Sequence, residues 1–475
     1  MDPDGRCCHP QEWAEYPRGA GPAHDRRVRR PLHEHLQPRG LVSRRAFLQL
    51  GGASGLALLG GCAVGRTSSE PSAPGRATAP ATCTSAVLGI VAPAPGAVLC
   101  SGPLTVLGTS TSGAGAVNWR LTDAGGADLA AGVADQVGTA TAPAFVVPLE
   151  LQPGEYSLTL DAGAGSPVDA CRSVTQSLLV VDAAAGLHWR SGASGRSSAD
   201  GTFAAWRGDP VTVSSTWSDD AGGQLALWPL TGDYADWTGD LDIAIGAIET
   251  GENWAAAARG EYDDRWTACL RRLTRLWGDR AGVPYIRFAH EFNGFWYPWT
   301  VHPEEVGDFV TAWRRFRALQ LQHAPAARLV FAPNSESAGD RLFDWRTAFP
   351  GAEYVDVLST SYFNGRPVIT SAPEFWRQAL RSDPTGAPFG IQRHLEFAAG
   401  VGLPFALSEW GCDGSITDSP DFFRQVFAFC NVHGGPGPGQ LAYEVLFNVA
   451  DAGAPFTVEP TTSMPASASA YQALW

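Results

Sequence analysis

The sequence predicts two folded domains, a small all-β sandwich followed by a (β/α)8 barrel. Its length of 475 residues is too great for one ordinary hydrophobic core. Short β-rich runs separated by Gly, Pro and Asp fill the first part, and apolar strands alternate with amphipathic helices in the second. We therefore divide the chain into a leader (1–62), a tether (63–82), an immunoglobulin-like sandwich (83–182) and a barrel (184–475).

The leader is expected to be an export signal and is left out of the fold prediction. Two arginines precede a short apolar stretch, as is typical of a twin-arginine signal, in Ser43-Arg44-Arg45-Ala46-Phe47-Leu48. The signal ends in Leu59-Gly60-Gly61-Cys62, which resembles a lipobox and predicts a lipid on Cys62. The alternative is simple cleavage of the signal beside an incidental Cys. We expect export by the twin-arginine route, to the extracellular space or the outer face of the cell membrane.

Composition narrows the possible partners of the exported protein. Residues 63–82 are mostly Ser, Ala, Pro, Gly and Thr, which bury too little apolar surface to fold. The whole chain has a net charge of −14, and without its first 61 residues it keeps 25 Arg and 42 acidic residues, a net charge of −17. Such a surface repels nucleic acid and anionic lipid, so contact with a membrane is expected only through a lipid anchor. The 17 Trp residues suit a neutral sugar substrate, although most of them are expected to lie in the core. We expect a monomer that binds a polysaccharide.

The sandwich is predicted from six β-rich runs with turn residues between them. The runs are 86–91, 104–107, 116–121, 145–149, 156–160 and 174–181. Their spacing fits an immunoglobulin-like domain. Because the region holds no carboxylate pair or His cluster, a spacer or binding module is its expected role.

The barrel is predicted from eight apolar runs, each followed by a helical pattern or a loop. The predicted strands are 187–191, 211–217, 241–248, 285–289, 329–332, 355–361, 405–408 and 443–447. Helical spacing is clearest for Trp266, Leu270, Leu273 and Trp277. Eight such units in this length fit a barrel of ordinary size.

Two glutamates meet the condition for an active site in such a barrel, where functional side chains follow the carboxyl ends of the strands. Glu291 follows predicted strand four and Glu409 follows predicted strand seven. Strand alternation directs both toward the barrel mouth, together with Arg287, Ala289, Phe405 and Leu407. Paired carboxylates facing one bond are what glycoside hydrolysis requires, one to protonate the leaving oxygen and one to attack the anomeric carbon.

The surrounding motifs resemble those of glycoside hydrolase family 26, which is best known for β-mannanases. The strand-four motif is Arg287-Phe288-Ala289-His290-Glu291-Phe292-Asn293-Gly294-Phe295-Trp296-Tyr297-Pro298-Trp299, and the second is Ser408-Glu409-Trp410-Gly411. The resemblance covers roughly 184–475. It implies a retaining endo-acting β-glycosidase without metal or cofactor, in which Glu291 is the acid/base and Glu409 the nucleophile.

The same resemblance implies four substrate-binding residues. They are His290 near the reacting sugar, Trp296 as a stacking platform, Tyr362 with its hydroxyl toward Glu409, and Asn293, to which no more precise position is given. Trp296 and Tyr362 could instead pack the barrel rim, and His290 could be a core histidine. Arg287 is better explained as a buried cation that supports the carboxylates than as a residue that binds the sugar.

Two departures from the family place mannan in doubt as the substrate. The mannanases carry a His near the exit of an early strand, whereas the run from Leu241 to Gly246 has none. Their strand-eight Trp is replaced in the run from Tyr443 to Asn448. We therefore expect weak activity on plain mannan and a better substrate among other β-glycans.

Two other functions are compatible with the sequence alone. A glycan-binding protein without turnover would keep the barrel, and a structural surface protein would bind no sugar. A zinc-protease helix is excluded, because Gly294 stands where its second His is required. The glycine-rich run 434–439 contains two Pro, which lack the N–H groups of a phosphate-binding loop. The sequence does not choose disulfide pairs among its nine Cys.

Overall fold

The computed structural model describes residues 87–111, 115–163, 172–339, 341–365, 367–451 and 454–475. The leader, the tether, Cys62 and Cys83 lie outside these residues. The described chain forms an all-β region followed by a closed parallel barrel, so the predicted fold class is confirmed.

The all-β region consists of two sheets that pack through a shared apolar core. The strand order is β1-β3-β7-β6 in one sheet and β2-β9-β8-β4-β5 in the other. The strands are β1 (Leu88–Ala92), β2 (Val98–Cys100), β3 (Gly102–Ser110), β4 (Val117–Asp123), β5 (Asp128–Val133), β6 (Asp135–Gln136), β7 (Ala144–Leu151), β8 (Gly154–Ala162) and β9 (Ser173–Val181). Core residues such as Val106, Phe145 and Leu158 are completely buried.

The barrel has eight parallel strands in sequence order, and each predicted strand has a counterpart. They are β10 (Arg190–Ala193), β11 (Val213–Trp217), β12 (Asp240–Ile245), β13 (Pro284–Phe288), β14 (Arg328–Phe331), β15 (Val357–Asn364), β16 (Phe405–Cys412) and β17 (Leu441–Leu446). A two-stranded ribbon, β18 (Ala450–Asp451) and β19 (Ala454–Pro455), follows the last barrel strand.

Helices surround the barrel and bury the outward side chains of its strands. They are α1 (Arg196–Ala199), α2 (Thr202–Arg207), α3 (Ala221–Ala226), α4 (Trp254–Arg259), α5 (Asp263–Trp277), α6 (Val306–His323), α7 (Ala372–Ala379), α8 (Ile391–Gly400), α9 (Pro420–His433) and α10 (Pro465–Leu474). In α5 the predicted stripe of Trp266, Leu270, Leu273 and Trp277 is buried. None of the described helices is both long and apolar enough to cross a membrane.

The inside of the barrel holds its own small core. Inward side chains such as Val213, Val357 and Tyr443 form an apolar cluster separate from the large core between barrel and helices. A polar layer of Asp242, Arg287 and Ser408 lies beside this cluster and is equally buried. The polar layer supports the mouth, where the candidate site lies.

The sandwich is fixed to the barrel through strands β2 and β3 and helix α9. The side-chain oxygen of Asn431 accepts a hydrogen bond from Cys100 N at 2.7 Å, and its amide donates to Cys100 O at 2.9 Å. Thr105 Oγ1 donates to Gln425 Oε1 at 3.2 Å. Buried polar groups that satisfy one another across this contact give it a specific geometry. The described cysteines, Cys100, Cys269, Cys412 and Cys430, are free thiols.

Candidate active site

A turn with left-handed backbone, rather than strand alternation, positions Glu291. Strand β13 ends at Phe288, and both Ala289 and Glu291 have a φ of +52°. Such a backbone costs roughly 1–3 kcal/mol per non-Gly residue and persists only where its surroundings impose it. Here Glu291 N donates to Ala332 O of the next strand's loop at 2.7 Å. The prediction that strand alternation continues through Glu291 is therefore wrong.

A β-bulge in β16 positions Glu409. Ala406 lies in the inner cluster and Leu407 in the outer core, as alternation requires. Ser408 and Glu409 nevertheless both bond to groups inside the barrel, and the pairing register with β15 and β17 shifts at this point. The prediction that Phe405 and Leu407 face the mouth with Glu409 is wrong, because the bulge resets the alternation.

A buried cation supports Glu409 from below. Arg287 Nε donates to Asp242 Oδ1 at 2.8 Å, and Arg287 Nη1 donates to Glu409 Oε1. Trp217 Nε1 also donates to Glu409 Oε1, at 3.0 Å. Asp242 accepts two further bonds, from Ser408 Oγ at 2.6 Å and from Tyr443 Oη at 2.8 Å. Arg287 thus holds the supporting position that its sequence context favours.

We expect Arg287→Met to destabilise the protein by about 3–5 kcal/mol, because Asp242 would remain as a buried charge without its cation. Urea unfolding at neutral pH measures the free energy of unfolding. Arg271→Met, on an exposed position of α5, is the matched control and should change it by less than about 0.5 kcal/mol. The double variant Arg287→Met/Asp242→Asn should lose less free energy of unfolding than the two single variants lose together. Strict additivity would contradict this pairing.

The two glutamates have different electrostatic surroundings. Burial and the charge of Glu409 raise the pKa of Glu291 to about 7. Trp296 Nε1 donates to Glu291 Oε2 at 3.0 Å, and the Ser361 hydroxyl also donates to this carboxyl group. Burial raises the pKa of Glu409 as well, but the Arg287 guanidinium and the Trp217 indole oppose the rise. Glu409 therefore holds the negative charge and Glu291 the proton.

His290 and Trp296 both lie at the mouth. His290 Nε2 is 3.0 Å from Tyr297 Oη, and burial and the nearby Arg287 charge lower the pKa of this imidazole well below its usual value. His290 is therefore neutral, with little of its surface exposed. Trp296 is half-buried and contacts Glu291 through its indole N–H.

Asn293 and Tyr362 are both buried among other protein groups, and the Tyr362 hydroxyl does not point toward Glu409. Asn293 is buried and joins two loops: its amide donates to Asn334 O at 3.1 Å, and its oxygen accepts from Asn334 N at 2.7 Å. In β15, alternation turns Ser361 inward and Tyr362 outward, where Tyr362 packs against Phe375 and Phe422. Both predicted substrate contacts are corrected to structural roles.

The structure shows which groups occupy the two strand exits where the expected His and Trp are absent. Gly246 follows β12, and a Cβ there would lie 2.5 Å from the Trp299 ring and 2.3 Å from Asp219 O. No larger side chain therefore fits at this strand exit. At the end of β17, Phe447 packs edge-on against Trp217 with ring centroids 5.3 Å apart. The indole beside Glu409 thus comes from β11.

Sequence reasoning missed Trp217, Ser361, Asp219 and Tyr297. Trp217 closes a predicted strand and Asp219 follows it, so the strand-end rule that found the glutamates could have found both. Ser361 likewise closes a predicted strand, so the same rule could have found it. Tyr297 carries no such signal, because its position depends on contacts between distant segments. Among the described residues, no group of three or more His, Cys, Asp or Glu could hold a metal ion.

Comparisons with known proteins give similarity in structure only. No family model and no curated protein matches the sequence. Among solved structures, the chain is similar to the family 26 proteins GH26A and GH26C of a Muricauda species, with 16% and 14% identity and TM-scores of 0.36 and 0.39. Both matches cover 55% of this chain, and 83% and 78% of the respective structures. A β-glucuronidase of Bifidobacterium dentium matches at 12% identity and a TM-score of 0.39, over 78% of this chain and 63% of that one.

Proposed function

We propose that this protein is a retaining endo-β-glycosidase, similar to family 26, that hydrolyses a β-linked polysaccharide. The observation that carries the proposal is the pair of carboxyl groups at the barrel mouth, one beside a buried cation and one without. Glu409 bonds to Arg287 and Trp217, whereas Glu291 bonds to neutral donors alone. A glycan-binding protein without turnover would gain nothing from setting the two protonation states apart.

The proposed reaction proceeds in two displacements at the anomeric carbon. The Glu409 carboxylate attacks this carbon, the glycosidic C–O bond breaks, and Glu291 delivers its proton to the departing oxygen. A glycosyl ester on Glu409 results. Glu291, now ionised, then removes a proton from water, which attacks the same carbon and releases Glu409. The Trp296 indole keeps Glu291 in position through both steps.

Aromatic side chains on both sides of the carboxyl groups suit a sugar chain. Phe295 is 43% exposed and lies edge-on to Trp296, with ring centroids 5.2 Å apart, on the Glu291 side. Phe363 and Phe447 form a second half-buried aromatic group near Trp217 on the Glu409 side. Flat apolar rings of this kind stack on sugar faces, so we assign the first group to the leaving-group sugars and the second to the reacting sugar.

Hydrolysis of a glycan by the purified protein tests this function. The panel should contain β-mannan, β-1,3-xylan, mixed-linkage glucan and bacterial exopolysaccharides, with the Glu409→Gln variant as the inactive control. We expect new reducing ends from at least one β-glycan, and less from plain mannan than from the best substrate. Binding of a glycan without any hydrolysis would favour the non-catalytic alternative. Activity on mannan equal to that on the best substrate would refute the expected specificity.

The pH dependence of kcat/KM should follow the two carboxyl groups. Glu291 must be protonated in the free enzyme, so activity should fall as the pH rises above about 7, the pKa of this group. Glu409 must be ionised, so activity should also fall in acid. Glu291→Gln should remove the alkaline fall on a substrate with an activated leaving group. An unchanged alkaline limb in this variant would assign the limb to another group.

We also propose that the exported enzyme is anchored to the outer face of the membrane through a lipid on Cys62. Cys62→Ser should move it from the membrane fraction to the medium, and mass spectrometry should show acyl chains on Cys62 of the parent protein. Cys83→Ser, outside the lipobox, is the control and should leave it in the membrane fraction. Equal membrane association of the Cys62→Ser protein would contradict the anchor.

A further inference from the structure

A third carboxylate, Asp219, lies at the barrel mouth, and the proposed reaction gives it no role. It follows β11 by two residues, and its side chain is 21% exposed. Its Oδ2 is 3.7 Å from His290 Nε2. Its charge helps to raise the pKa of the Tyr297 hydroxyl, and the charge of Glu409 in turn helps to raise the pKa of Asp219. The group therefore lies within the candidate site, next to His290 and within electrostatic reach of Glu409.

Asp219 has no side-chain hydrogen-bond donor among the described residues. Its own backbone N–H is the donor that acts on it, and Arg287, the cation that affects it, is already bonded to Asp242 and Glu409. His290 is neutral, and its Nε2 lies closer to Tyr297 Oη than to Asp219. At 3.7 Å the imidazole is beyond hydrogen-bond distance from Asp219.

A carboxylate such as Asp219, which lacks a side-chain donor, is unfavourable in the free protein. Burial and the charges of Asp220 and Glu409 raise the pKa of Asp219 to about 6. A mostly buried carboxylate without side-chain donors loses hydration and gains no bond in return. A ligand that brings hydroxyl groups would supply the missing donors, whereas a ligand that brings a carboxylate would add a further negative charge.

We propose that Asp219 accepts hydrogen bonds from hydroxyl groups of the reacting sugar and so restricts the enzyme to neutral β-glycans, excluding uronic acids. This inference rests on the proposed function and names its substrate class. Two carboxylate oxygens can accept bonds from two neighbouring hydroxyl groups, which fixes the ring beside Glu409. The sugar is then held both by hydrogen bonds to Asp219 and by stacking on the aromatic group of Trp217, Phe363 and Phe447.

The first test compares Asp219→Asn with Asp220→Asn on the best glycan of the panel. Asp219→Asn keeps the shape of the side chain but replaces the charged acceptor with a neutral amide. We therefore expect kcat/KM to fall about 100-fold, the loss typical of one or two charged hydrogen bonds. Asp220 is the matched control: it is exposed, and its Oδ1 caps helix α3 at Gly223 N, an acceptor role that Asn retains. The control should stay within about 2-fold of the parent enzyme. Equal activity of both variants would overturn the proposal.

The second test measures selectivity, which a merely structural role would leave unchanged. The best neutral glycan built of hexoses is compared with the same glycan oxidised at C6 to a uronic acid. The parent enzyme should hydrolyse the oxidised form at least about 100-fold less well, and Asp219→Asn should narrow this ratio about 10-fold. Equal hydrolysis of both forms by the parent enzyme, or an unchanged ratio in the variant, would overturn the proposal.

Two further outcomes separate the possible failures. If the parent enzyme hydrolyses no glycan, the proposed function itself is wrong, whatever Asp219 does. If Asp219→Asn lowers the Tm, the same selectivity ratio is measured with Asp219→Ser, since a ratio does not depend on the fraction of folded protein. A narrowed ratio in that variant supports the proposal, and an unchanged one overturns it.

Discussion

Glu409→Gln is expected to lower kcat on the best glycan by about 10⁴-fold or more, because the reaction loses its nucleophile. The amide has nearly the shape of the carboxylate but cannot form the glycosyl ester. It also removes the negative partner of Arg287 at the mouth, while Asp242 still neutralises the guanidinium from below. The fold should therefore survive, and circular dichroism and the Tm can verify this before activity is compared.

Glu444→Gln is a control of the same chemistry on the neighbouring strand. Glu444 is also buried, but it faces the helices, where Trp410 Nε1 and Trp475 Nε1 donate to it at 2.5 and 2.9 Å. Gln keeps an acceptor for one of these bonds, so we expect less than about 10-fold loss of kcat. Full activity in Glu409→Gln, or an equal loss in both variants, would contradict the role of Glu409.

Glu291→Ala is expected to have an effect that depends on the leaving group. On a polysaccharide, kcat/KM should fall about 10²–10⁴-fold, the usual contribution of proton transfer by a positioned side chain. On an aryl glycoside with an activated leaving group, which departs without a proton, the first step should change little. An equal loss on both substrates would contradict the role of Glu291 as the acid.

Azide separates the two glutamates further, because it can occupy the space of either missing carboxyl group. With Glu291→Ala, azide attacks the glycosyl ester on Glu409 and should give a β-glycosyl azide. With Glu409→Ala, azide attacks the substrate from the vacated side and should give an α-glycosyl azide. The same anomer from both variants would show that the two roles are not divided as proposed. The parent enzyme, incubated with azide, is the control.

The sequence was sufficient for the order of the domains and the strands, because apolar periodicity and turn residues are local signals. It was also sufficient to single out Glu291 and Glu409, since both follow apolar runs and stand in distinctive motifs. Their orientation was less predictable. The left-handed turn at Ala289 depends on a bond from Glu291 to Ala332, and the bulge at Ser408 depends on the pairing with two other strands.

Predictions based on the family motif alone were less successful than those based on strand position. Tyr362 lies on the helix-facing side of β15, so alternation alone assigns it to the outer core once the inward position of Ser361 is known. Asn293 stands in the motif but uses its amide to join two loops. The bond between Arg287 and Asp242 joins residues on neighbouring strands, and nothing in the sequence around Asp242 indicates it.

The configuration of the first product tests the central claim most directly. Proton NMR during the first minutes of hydrolysis distinguishes the anomers of the new reducing end before they equilibrate in water. Two displacements through an ester on Glu409 predict that the β-anomer appears first and the α-anomer only later by mutarotation. The α-anomer as the first product would require a single displacement by water, and would contradict the assignment of Glu409 as the nucleophile.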